Sequence, residues 1–533
     1  MISNARLALL SGLLCILAWP VDGISFFIFL AFIPLLAVEQ NLRGENIKRS
    51  GWKVFGYSYM AALIWNLGTT WWLFNASLVG MLFANLANSS FYALLFTIYH
   101  WAVKRMPQRS AYIFFVSLWL AFEKGHQLWD FSWPWLNLGN VFSESIHWVQ
   151  WYEYTGSFGG SLWVLLVNIL GFEILKKWQP QQGATALLKR SVPWWLAISV
   201  PITLSLVVFV RVPKATKTTN VAVIQPNIDP YTEKYKYSNT AFLEQLSDLV
   251  QPLKKEKVDF ILTPETYFAA GAGEELNAFP QSPFYSKFQQ LATQYPSTHW
   301  VMGIQFYQLY FSETPPNYTA NQIKEKVWVD YYNSAFGVQI AHPIEVYHKS
   351  KLVVGVEDMP FKKYLKPLLG NLMLDLGGTI SSRAKQAQRS VFTHGDFNIK
   401  VAPIICYESI YGEFVTEYVR LGAQFLGIIT NDAWWGNTPG HQQLLSYSRL
   451  RAIENRRVIA RSANTGISAF INARGELEQT LGYTQKGYLL GTVPLYDTIT
   501  FYSTYGDYLA RWAVFLAGLF FLLALSKRLK QHD

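Results

Sequence analysis

Three side chains that could carry out covalent chemistry follow short apolar runs of the chain. Glu265 ends the run Phe-Ile-Leu-Thr-Pro-Glu, Lys349 follows Tyr-His, and Cys406 follows Ile-Ile. A cysteine thiol has a free pKa of about 8.5, and a neighbouring cation lowers it toward the reactive thiolate. A glutamate can accept the thiol proton and later pass it to a leaving group, while a lysine stabilises a tetrahedral oxyanion. The three residue types together therefore predict acyl transfer through a thioester on Cys406.

Each of these residues also has a purely structural interpretation. A cysteine after an apolar strand is usually a small buried hydrophobe, and a lone lysine such as Lys349 usually lies in solvent. Glu265 could be a charge at a helix N-terminus, and the pair Asn431-Asp432 could simply begin a turn. The prediction of a catalytic site therefore depends on the combination of residues and not on any one of them.

The elements that must position these residues are buried strands that alternate with helices from residue 219 onward. Near-continuous apolar strands indicate a sheet that is covered on both faces, and the alternation predicts an α/β domain. Ligand sites in such sheets form where strands end, which is where the polar residues stand. The predicted strands are Asn220–Gln225, Phe260–Thr263, Trp300–Gln305, Ser334–Gln339, Phe397–Ile405 and Phe425–Thr430, and the predicted helices include Thr240–Val250 and Gln442–Asn455.

The composition indicates a large membrane-embedded part. Of the 533 residues, 51% are hydrophobic and only 15% are charged, against roughly 25% in soluble proteins. The net charge of +10 comes largely from basic residues in short loops between apolar runs, so it indicates membrane topology and not a nucleic-acid partner. The two cysteines, Cys15 and Cys406, predict neither a disulfide nor a metal site.

Eight apolar runs are long enough to be candidates for crossing about 30 Å of hydrocarbon. We expect the first to be an uncleaved span and not a signal peptide, because the second follows at once and no cleavage site of small residues is present. The first two runs, joined only by Pro20–Gly23, could instead form a hairpin. The runs are 6–22, 24–40, 54–75, 80–103, 111–128, 160–178, 192–211 and 508–526.

Basic loops predict the orientation of these spans, because Lys and Arg mark the cytoplasmic side. With eight spans, all basic loops fall on one side, both termini are cytoplasmic, and the α/β domain lies in the periplasm of a bacterium. The predicted domains are a membrane domain 1–211 with about seven helices, a catalytic domain 212–507, and a last span with its tail, 508–533. The basic residues are Arg43, Lys48, Arg49, Lys53, Lys104, Arg105, Arg109, Lys176, Lys177, Lys189, Arg190, Lys527, Arg528 and Lys530.

The other outer loop, 129–159, is dense in Trp and Tyr. Aromatic residues collect at the membrane–water interface, so one interpretation is an interfacial belt. The alternative is a lip that guides a lipid head group toward the outer domain.

Glu265, Lys349 and Cys406, in this order and setting, resemble the Glu–Lys–Cys triad of the nitrilase (carbon–nitrogen hydrolase) superfamily. Within it, the chain is similar over essentially its whole length to the bacterial apolipoprotein N-acyltransferases. The resemblance implies an αββα sandwich for the outer domain. The motifs that carry it are Phe131-Ser-Trp-Pro-Trp135, Tyr332-Asn333-Ser334, Tyr347-His-Lys349-x-x-Leu352-Val353, Ile405-Cys406-Tyr407-Glu408, Asn431-Asp432-Ala433-Trp434, and Arg449-x-Arg451-Ala452-x-Glu454 followed by Arg461-Ser-Ala-Asn464-Thr465-Gly466.

The resemblance also implies roles for individual residues. It makes Cys406 the acylated nucleophile, Glu265 the general base and Lys349 the oxyanion partner, and it lets Glu357 assist them. Four further residues are implied to shape or line the substrate site, namely Tyr407, Glu408, Trp434 and Tyr235.

The implied reaction has two half-steps and uses neither metal nor cofactor. A phospholipid such as phosphatidylethanolamine gives an acyl chain to Cys406, and the α-amine of a diacylglyceryl-cysteine at an apolipoprotein N-terminus then takes it. The implied location is the inner (cytoplasmic) membrane of a bacterium, and we expect a multi-pass monomer.

Two features depart from the family pattern. The family usually has Leu-Val-Pro-Phe-Gly-Glu after the lysine, whereas this chain has Leu-Val-Val-Gly-Val-Glu at 352–357. An early Gln-Gly-Asn motif is Gln-Pro-Asn at 225–227, and the Trp that usually follows has no counterpart, Tyr235 being the nearest aromatic. We therefore expect a substrate lid that is built differently.

Two rival functions remain open at this point. A membrane-tethered amidase of the same superfamily would hydrolyse a soluble amide, but one span would suffice to tether it. A transporter or binding scaffold would have paired ionisable residues within its spans. The sequence offers few of these: Glu123 and Lys124 near one span end, and Glu173 near another.

Overall fold

The computed structural model describes residues 3–44, 49–211, 214–230, 232–234, 236–358 and 383–526. The chain divides into two compact units. The first contains Met1–Arg211 and Tyr505–Asp533, and the second is Val212–Thr504.

The first unit is helical. Each of the eight runs that were predicted as spans overlaps at least one helix, because a helix satisfies the backbone groups of an apolar stretch internally. The helices are α1 Asn4–Ala18, α2 Ile28–Ala31, α3 Ile33–Gly44, α4 Ser50–Thr70, α5 Leu78–Val103, α6 Gln108–Gly125, α7 Tyr152–Thr155, α8 Ser157–Lys177, α9 Gly183–Phe209 and a C-terminal helix Tyr508–Ser526.

Five helical segments of the described chain are long and apolar enough to cross a membrane: Ser25–Arg43, α5, α8, α9 and the C-terminal helix. Helix α1 has 15 residues and therefore rises only about 22 Å, less than the hydrocarbon thickness. The chain is thus a multi-pass membrane protein, and a count of eight spans stays a prediction.

A buried hydrogen-bonded network joins three of these helices. His100 on α5 lies 2.8 Å from Glu39 of α3 through Nδ1 and 3.0 Å from the Ser50 hydroxyl of α4 through Nε2. Lys104 donates to the same hydroxyl at 2.6 Å. Each polar group of this network has a partner from another helix, which offsets the cost of burying it.

The aromatic loop 129–159 packs mostly inside the helical unit. Trp135 and Tyr152 are fully buried. The Trp135 ring packs against Trp72 at 4.9 Å, and the Tyr152 hydroxyl donates to the Gly139 carbonyl at 2.8 Å. These two residues therefore belong to the core of the unit, and neither an interfacial belt nor a lip describes them.

The second unit is built on two β-sheets. The first has the order β14-β1-β2-β4-β6-β5, with β3 beside β4 and β7 beside β6; the second has the order β13-β12-β11-β10-β9-β8. The strands are β1 Lys217–Gln225, β2 Phe260–Leu262, β3 Glu274–Glu275, β4 His299–Phe311, β5 Asn321–Lys324, β6 Val327–Val338, β7 Glu345–His348, β8 Phe392–His394, β9 Ile399–Ile405, β10 Phe425–Thr430, β11 Ile459–Ala463, β12 Ser468–Ile471, β13 Leu477–Leu481 and β14 Gly487–Leu495.

The centre of each sheet is parallel. Strands β1, β2 and β4 run parallel in the first sheet, and β9, β10 and β11 do so in the second. Their burial is nearly continuous, as expected for a sheet that is covered on both faces. Each of the six predicted strands overlaps an observed one, with ends that agree within two residues for Phe260–Thr263, Phe397–Ile405 and Phe425–Thr430.

Helices cover the sheets. Helices α10 Asn239–Val250 and α11 Pro283–Ala292 share a hydrophobic core with the first sheet. The other helices of this unit are α12 Gly412–Arg420, α13 Pro439–Asn455 and α14 Phe501–Tyr505. The two sheets contact each other through β1 and β11, which makes the unit the predicted α/β sandwich.

Candidate active site

The three predicted catalytic residues each stand just beyond the end of a strand. Glu265 follows β2, Lys349 follows β7, and Cys406 follows β9. Asn431 follows β10, the neighbour of β9. The parallel strands β9 and β10 end at the same edge of their sheet, so their terminal loops lie side by side.

Glu265 and Lys349 form a buried ion pair. The Lys349 ammonium donates to Glu265 Oε1 at 2.7 Å and lies 2.9 Å from Glu357 Oε2. Lys349 is 1% exposed and Glu265 is 7% exposed. Lys349 is therefore not a solvated surface lysine; its charge is balanced within the protein.

A third residue holds the two carboxylates in place. The Asn333 amide donates to Glu265 Oε1 and to Glu357 Oε1, each at 2.7 Å. The backbone N–H of Asn431 donates to Glu265 Oε2 at 3.1 Å. Both oxygens of Glu265 are thus fixed in direction, as a base must be if it is to act on one particular proton.

The charges in this cluster determine its ionisation. Burial alone would lower the pKa of Lys349, but Glu265 and Glu357 outweigh it and hold the pKa above its ordinary value. Burial would raise the pKa of Glu357, yet the Lys349 and Arg383 charges keep it below the usual range. Lys349 and Glu357 are therefore both ionised at neutral pH.

Cys406 is close enough to this network to interact with its charges. Burial raises the pKa of the thiol most, the Glu265 charge raises it further, and the Lys349 charge opposes both. The thiol is therefore protonated in the resting state and must pass its proton to a base before it attacks. Cys406 is 6% exposed, and its φ of 50° lies in a region that non-glycine residues rarely adopt, which is typical of functional sites.

Glu408 joins the loop of the lysine to the loop of the cysteine. Its carboxylate accepts hydrogen bonds from the Tyr347 hydroxyl and the Ser350 N–H, both at 2.7 Å, and from the Ile405 N–H at 2.9 Å. Burial raises the pKa of Glu408, while these hydrogen bonds lower it. Glu408 therefore fixes the distance between two strand ends.

The remaining predicted residues differ in position. Tyr407 is buried beside the nucleophile, and its ring packs against Tyr411 at 5.5 Å. Trp434 is half-buried, with the Lys234 ammonium 5.9 Å from the centre of its ring. Tyr235 lies outside the described residues.

Sequence reasoning missed three members of the site. Asn333 was part of a recognised motif, but its contact with both carboxylates depends on the fold and could not be deduced from its position in the sequence. Lys234 is only 5% exposed, and its ammonium hydrogen-bonds the hydroxyl of Thr266, directly after Glu265. Arg383 donates from its backbone N–H to the Glu357 carbonyl at 2.9 Å. A lysine and an arginine in polar stretches carry no sequence signal of burial.

Comparison with known proteins identifies the family. Residues 11–170 match the apolipoprotein N-acyltransferase N-terminal domain, and residues 220–501 match the carbon-nitrogen hydrolase domain. An apolipoprotein N-acyltransferase from Chlorobaculum tepidum is 30% identical over 98% of this chain and 96% of its own length. The chain belongs to the apolipoprotein N-acyltransferase family.

Other members of the family are similarly related. The apolipoprotein N-acyltransferase of Geobacter metallireducens is 29% identical over 98% of this chain and 95% of its own length. Among solved structures, a mutant of an amidase of the nitrilase superfamily from Nesterenkonia AN1 is 16% identical, with a TM-score of 0.37, over 56% of this chain and 98% of that chain.

Membership of the apolipoprotein N-acyltransferase family confirms that the chain is an acyltransferase with a nitrilase-type domain. The domain that matches the carbon-nitrogen hydrolases contains Glu265, Lys349 and Cys406. The assignment of catalytic roles to these residues stays a prediction.

Proposed function

We propose that the chain transfers an acyl chain from a phospholipid, through a thioester on Cys406, to the α-amine of diacylglyceryl-cysteine at an apolipoprotein N-terminus. The observation that carries this proposal is the convergence of Glu265, Lys349 and Cys406. Lys349 and Glu265 form an ion pair at 2.7 Å, and both charges act on the Cys406 thiol. Family membership supports the lipoprotein acceptor.

In the first half-reaction, Glu265 accepts the proton of the Cys406 thiol while the sulfur bonds to the ester carbonyl carbon of the phospholipid. The carbonyl oxygen becomes an oxyanion. Among the described residues, Lys349 uses two of its three N–H donors on Glu265 and Glu357, which leaves one for this oxyanion. The carbon–oxygen bond to glycerol then breaks, and Glu265 returns the proton to the departing oxygen.

In the second half-reaction, the α-amine of the apolipoprotein attacks the thioester carbonyl carbon. Glu265 accepts a proton from the amine, the carbon–sulfur bond breaks, and the proton returns to the Cys406 sulfur. The products are an amide and the free thiol. Glu357 and Asn333 keep Lys349 and Glu265 in position throughout, and Tyr407, Glu408, Trp434 and Tyr235 shape the substrate site.

We place this reaction on the periplasmic side of the bacterial inner membrane, with phosphatidylethanolamine as the expected donor and a monomer as the active form. Basic loops support the orientation, because they favour the cytoplasmic side. Several apolar helices also suit a lipid donor, which can reach the enzyme without leaving the bilayer for water. A tethered amidase would need only one of them.

The decisive experiment is intact mass spectrometry of the full-length protein after incubation with phosphatidylethanolamine alone. We expect an acyl adduct that hydroxylamine removes, present in Cys15→Ser and absent in Cys406→Ala. An unmodified Cys406 in folded wild-type protein would contradict the thioester and favour the amidase, which soluble amides would then test.

A further inference from the structure

Within the described residues, Lys349 has one N–H left for the transient oxyanion, but it is not a receptor for a permanent anion of the substrate, because its charge is already matched. It lies between the carboxylates of Glu265 and Glu357, at 2.7 and 2.9 Å. These three groups together carry one net negative charge. A substrate that brings another negative charge to this place would be repelled unless further cations stand nearby.

Two such cations flank the carboxylates. Lys234 hydrogen-bonds the hydroxyl of Thr266, the residue after Glu265. Arg383 is tied to Glu357 through its backbone N–H at 2.9 Å, and its guanidinium donates to Gln305 Oε1 at 3.1 Å. With these two residues, three cations face two carboxylates, and the five charges sum to plus one.

The Lys234 ammonium and the Arg383 guanidinium each have more N–H donors than they use within the described residues. An ammonium has three N–H donors and a guanidinium has five. Within the described parts of the chain, the Lys234 ammonium makes one hydrogen bond and the Arg383 guanidinium makes one. No carboxylate of the described chain lies within ion-pair distance of either side chain.

The burial of Lys234 does not remove it from a substrate's reach. Lys234 is 5% exposed, whereas the proposed nucleophile Cys406 is 6% exposed and Glu265 is 7% exposed. Any donor that reaches the thiol must enter this same buried cluster. A cation that has already lost most of its water also binds an anion more strongly than a solvated one, because the local dielectric constant is lower.

Resting on the proposed function, we propose that Lys234 and Arg383 form a phosphate-binding pair that holds the phosphodiester of the phospholipid donor. An ammonium acts as a point charge and a guanidinium as a fork that can bind two phosphate oxygens. The surplus positive charge matches the single negative charge of a phosphodiester. The pair would hold the head group beside the thiol and orient the ester for attack.

The test compares a donor that has a phosphodiester head group with one that has none. Full-length protein in detergent is incubated with phosphatidylethanolamine or with 1,2-diacylglycerol of the same chains, and the rate of adduct formation on Cys406 is followed by intact mass. Lys234→Met and Arg383→Gln are compared with wild type. Lys385→Met is the matched control, since Lys385 is near Arg383 in sequence but is exposed and lies 3.9 Å from Asp358.

We expect each variant to slow the reaction with phosphatidylethanolamine by about tenfold or more. The main effect should be a higher half-saturating donor concentration, because the loss of a hydrogen bond to a charged group weakens binding by about this factor. The diacylglycerol rate should fall much less, so that the ratio of the phosphatidylethanolamine rate to the diacylglycerol rate decreases in each variant. Lys234→Arg should preserve the preference for the phospholipid. Lys385→Met should behave as wild type with both donors.

Equal losses with both donors would overturn the proposal, since they would assign Lys234 and Arg383 to positioning the catalytic groups. Unchanged rates with both donors would overturn it as well. Inorganic phosphate is added in a further arm: if it slows the diacylglycerol reaction of wild type but not of Lys234→Met, while the variants still accept phosphatidylethanolamine normally, the pair binds free phosphate and not the lipid. Failure of wild type to form an adduct from either donor would instead refute the thioester itself.

Discussion

Cys406 and Cys15 offer a matched comparison at the scale of single residues. Both thiols are buried, but Cys406 stands beside the ion pair of Glu265 and Lys349, whereas Cys15 lies on apolar helix α1. Buried thiols without charged neighbours behave as small hydrophobes. We therefore expect the reactivity of each thiol to depend on its charged neighbours and not on its burial.

Cys406→Ser should lower acyl transfer to a lipoprotein peptide by at least about 100-fold, because an alcohol is a far weaker nucleophile at neutral pH. Cys15→Ser should leave the rate within about twofold. Transfer of a radiolabelled acyl chain measures both variants, and membrane insertion is checked by alkaline extraction. Full activity of Cys406→Ser would end the proposed mechanism.

Asn333 holds two carboxylates with one amide, so its removal should affect catalysis more than stability. Asn333→Ala should slow adduct formation about 10- to 100-fold, the usual effect of removing a residue that orients catalytic groups. Stopped-flow or quenched single-turnover measurements would follow the adduct, with Asn321→Ala on strand β5 as the control. A normal rate in Asn333→Ala would show that Glu265 keeps its direction without this residue.

Lys234 predicts a pH dependence whose sign can be worked out. Burial lowers its pKa to about 8, with Glu265 and Glu357 raising it and Arg383 and Lys349 lowering it. The residue loses its charge as the pH rises through this value, so phosphate binding should weaken above it. Thiol ionisation changes in the opposite direction, but it affects both donors equally.

The ratio of the phosphatidylethanolamine rate to the diacylglycerol rate should therefore fall between pH 7 and pH 9 in wild type. In Lys234→Arg the ratio should be much flatter, because an arginine with a pKa above about 12 stays charged. A ratio that falls equally in both proteins would show that a different group titrates in this range, either elsewhere in the protein or on the lipid head group.

At the scale of elements, Glu408 connects the loops after β7 and β9. Its carboxylate accepts three hydrogen bonds at 2.7 to 2.9 Å from these loops and from Tyr347. In Glu408→Gln the amide N–H₂ would replace one of the two oxygens and would face either the Ile405 N–H or the Ser350 N–H, so a buried donor would lose its acceptor. Each loss of a hydrogen bond to a charged group costs about 1.5–3 kcal/mol.

We expect Glu408→Gln to lower the free energy of unfolding by about 2–4 kcal/mol, combining such losses, and to slow adduct formation through the shifted loops. Thermal unfolding in detergent, followed by near-UV circular dichroism, measures the first effect. Glu417→Gln is the control, because the Glu417 side chain is 42% exposed and lies 3.9 Å from Arg389. An unchanged unfolding temperature would mean that the loops do not depend on this carboxylate.

The sequence predicted the elements with strong local patterns and missed those without them. Strands β2 and β10 are continuous apolar runs that are followed by polar residues. The sequence therefore predicted both the strand and the site at its end. Strand β13 is mostly exposed, with the sequence Leu-Glu-Gln-Thr-Leu, and its pairing with β12 comes from distant residues. In the same way, Glu265, Lys349 and Cys406 were found by type and setting, whereas Lys234 is part of the site only because the fold buries it.

At the scale of the whole molecule, the predicted orientation assigns each part of the chain to one side of the membrane. The basic loops predict that Trp52 lies near the cytoplasmic side and that Tyr318, in the nitrilase-type unit, lies in the periplasm. Both side chains are exposed on the protein surface, at 74% and 68%, and both lie outside the predicted spans, so we expect a cysteine at either place to react with a reagent from the water phase. The two positions form a matched pair in a background where Cys15 and Cys406 are replaced by serine.

We expect a membrane-impermeant maleimide to label Tyr318→Cys in intact spheroplasts and to label Trp52→Cys only after the membrane is opened. The physical reason is that Lys and Arg loops are retained on the cytoplasmic side during insertion. Each protein is denatured and relabelled afterward to show that its cysteine was free to react. The reverse pattern would place the catalytic domain in the cytoplasm. Labelling of both cysteines in intact spheroplasts would mean that an even number of spans, and not the predicted five, separates the two positions. The reverse pattern would contradict the proposed encounter with apolipoproteins in the periplasm, whereas labelling of both cysteines would contradict only the predicted orientation of the membrane domain. The chemistry at Cys406 would remain testable by its adduct in both cases.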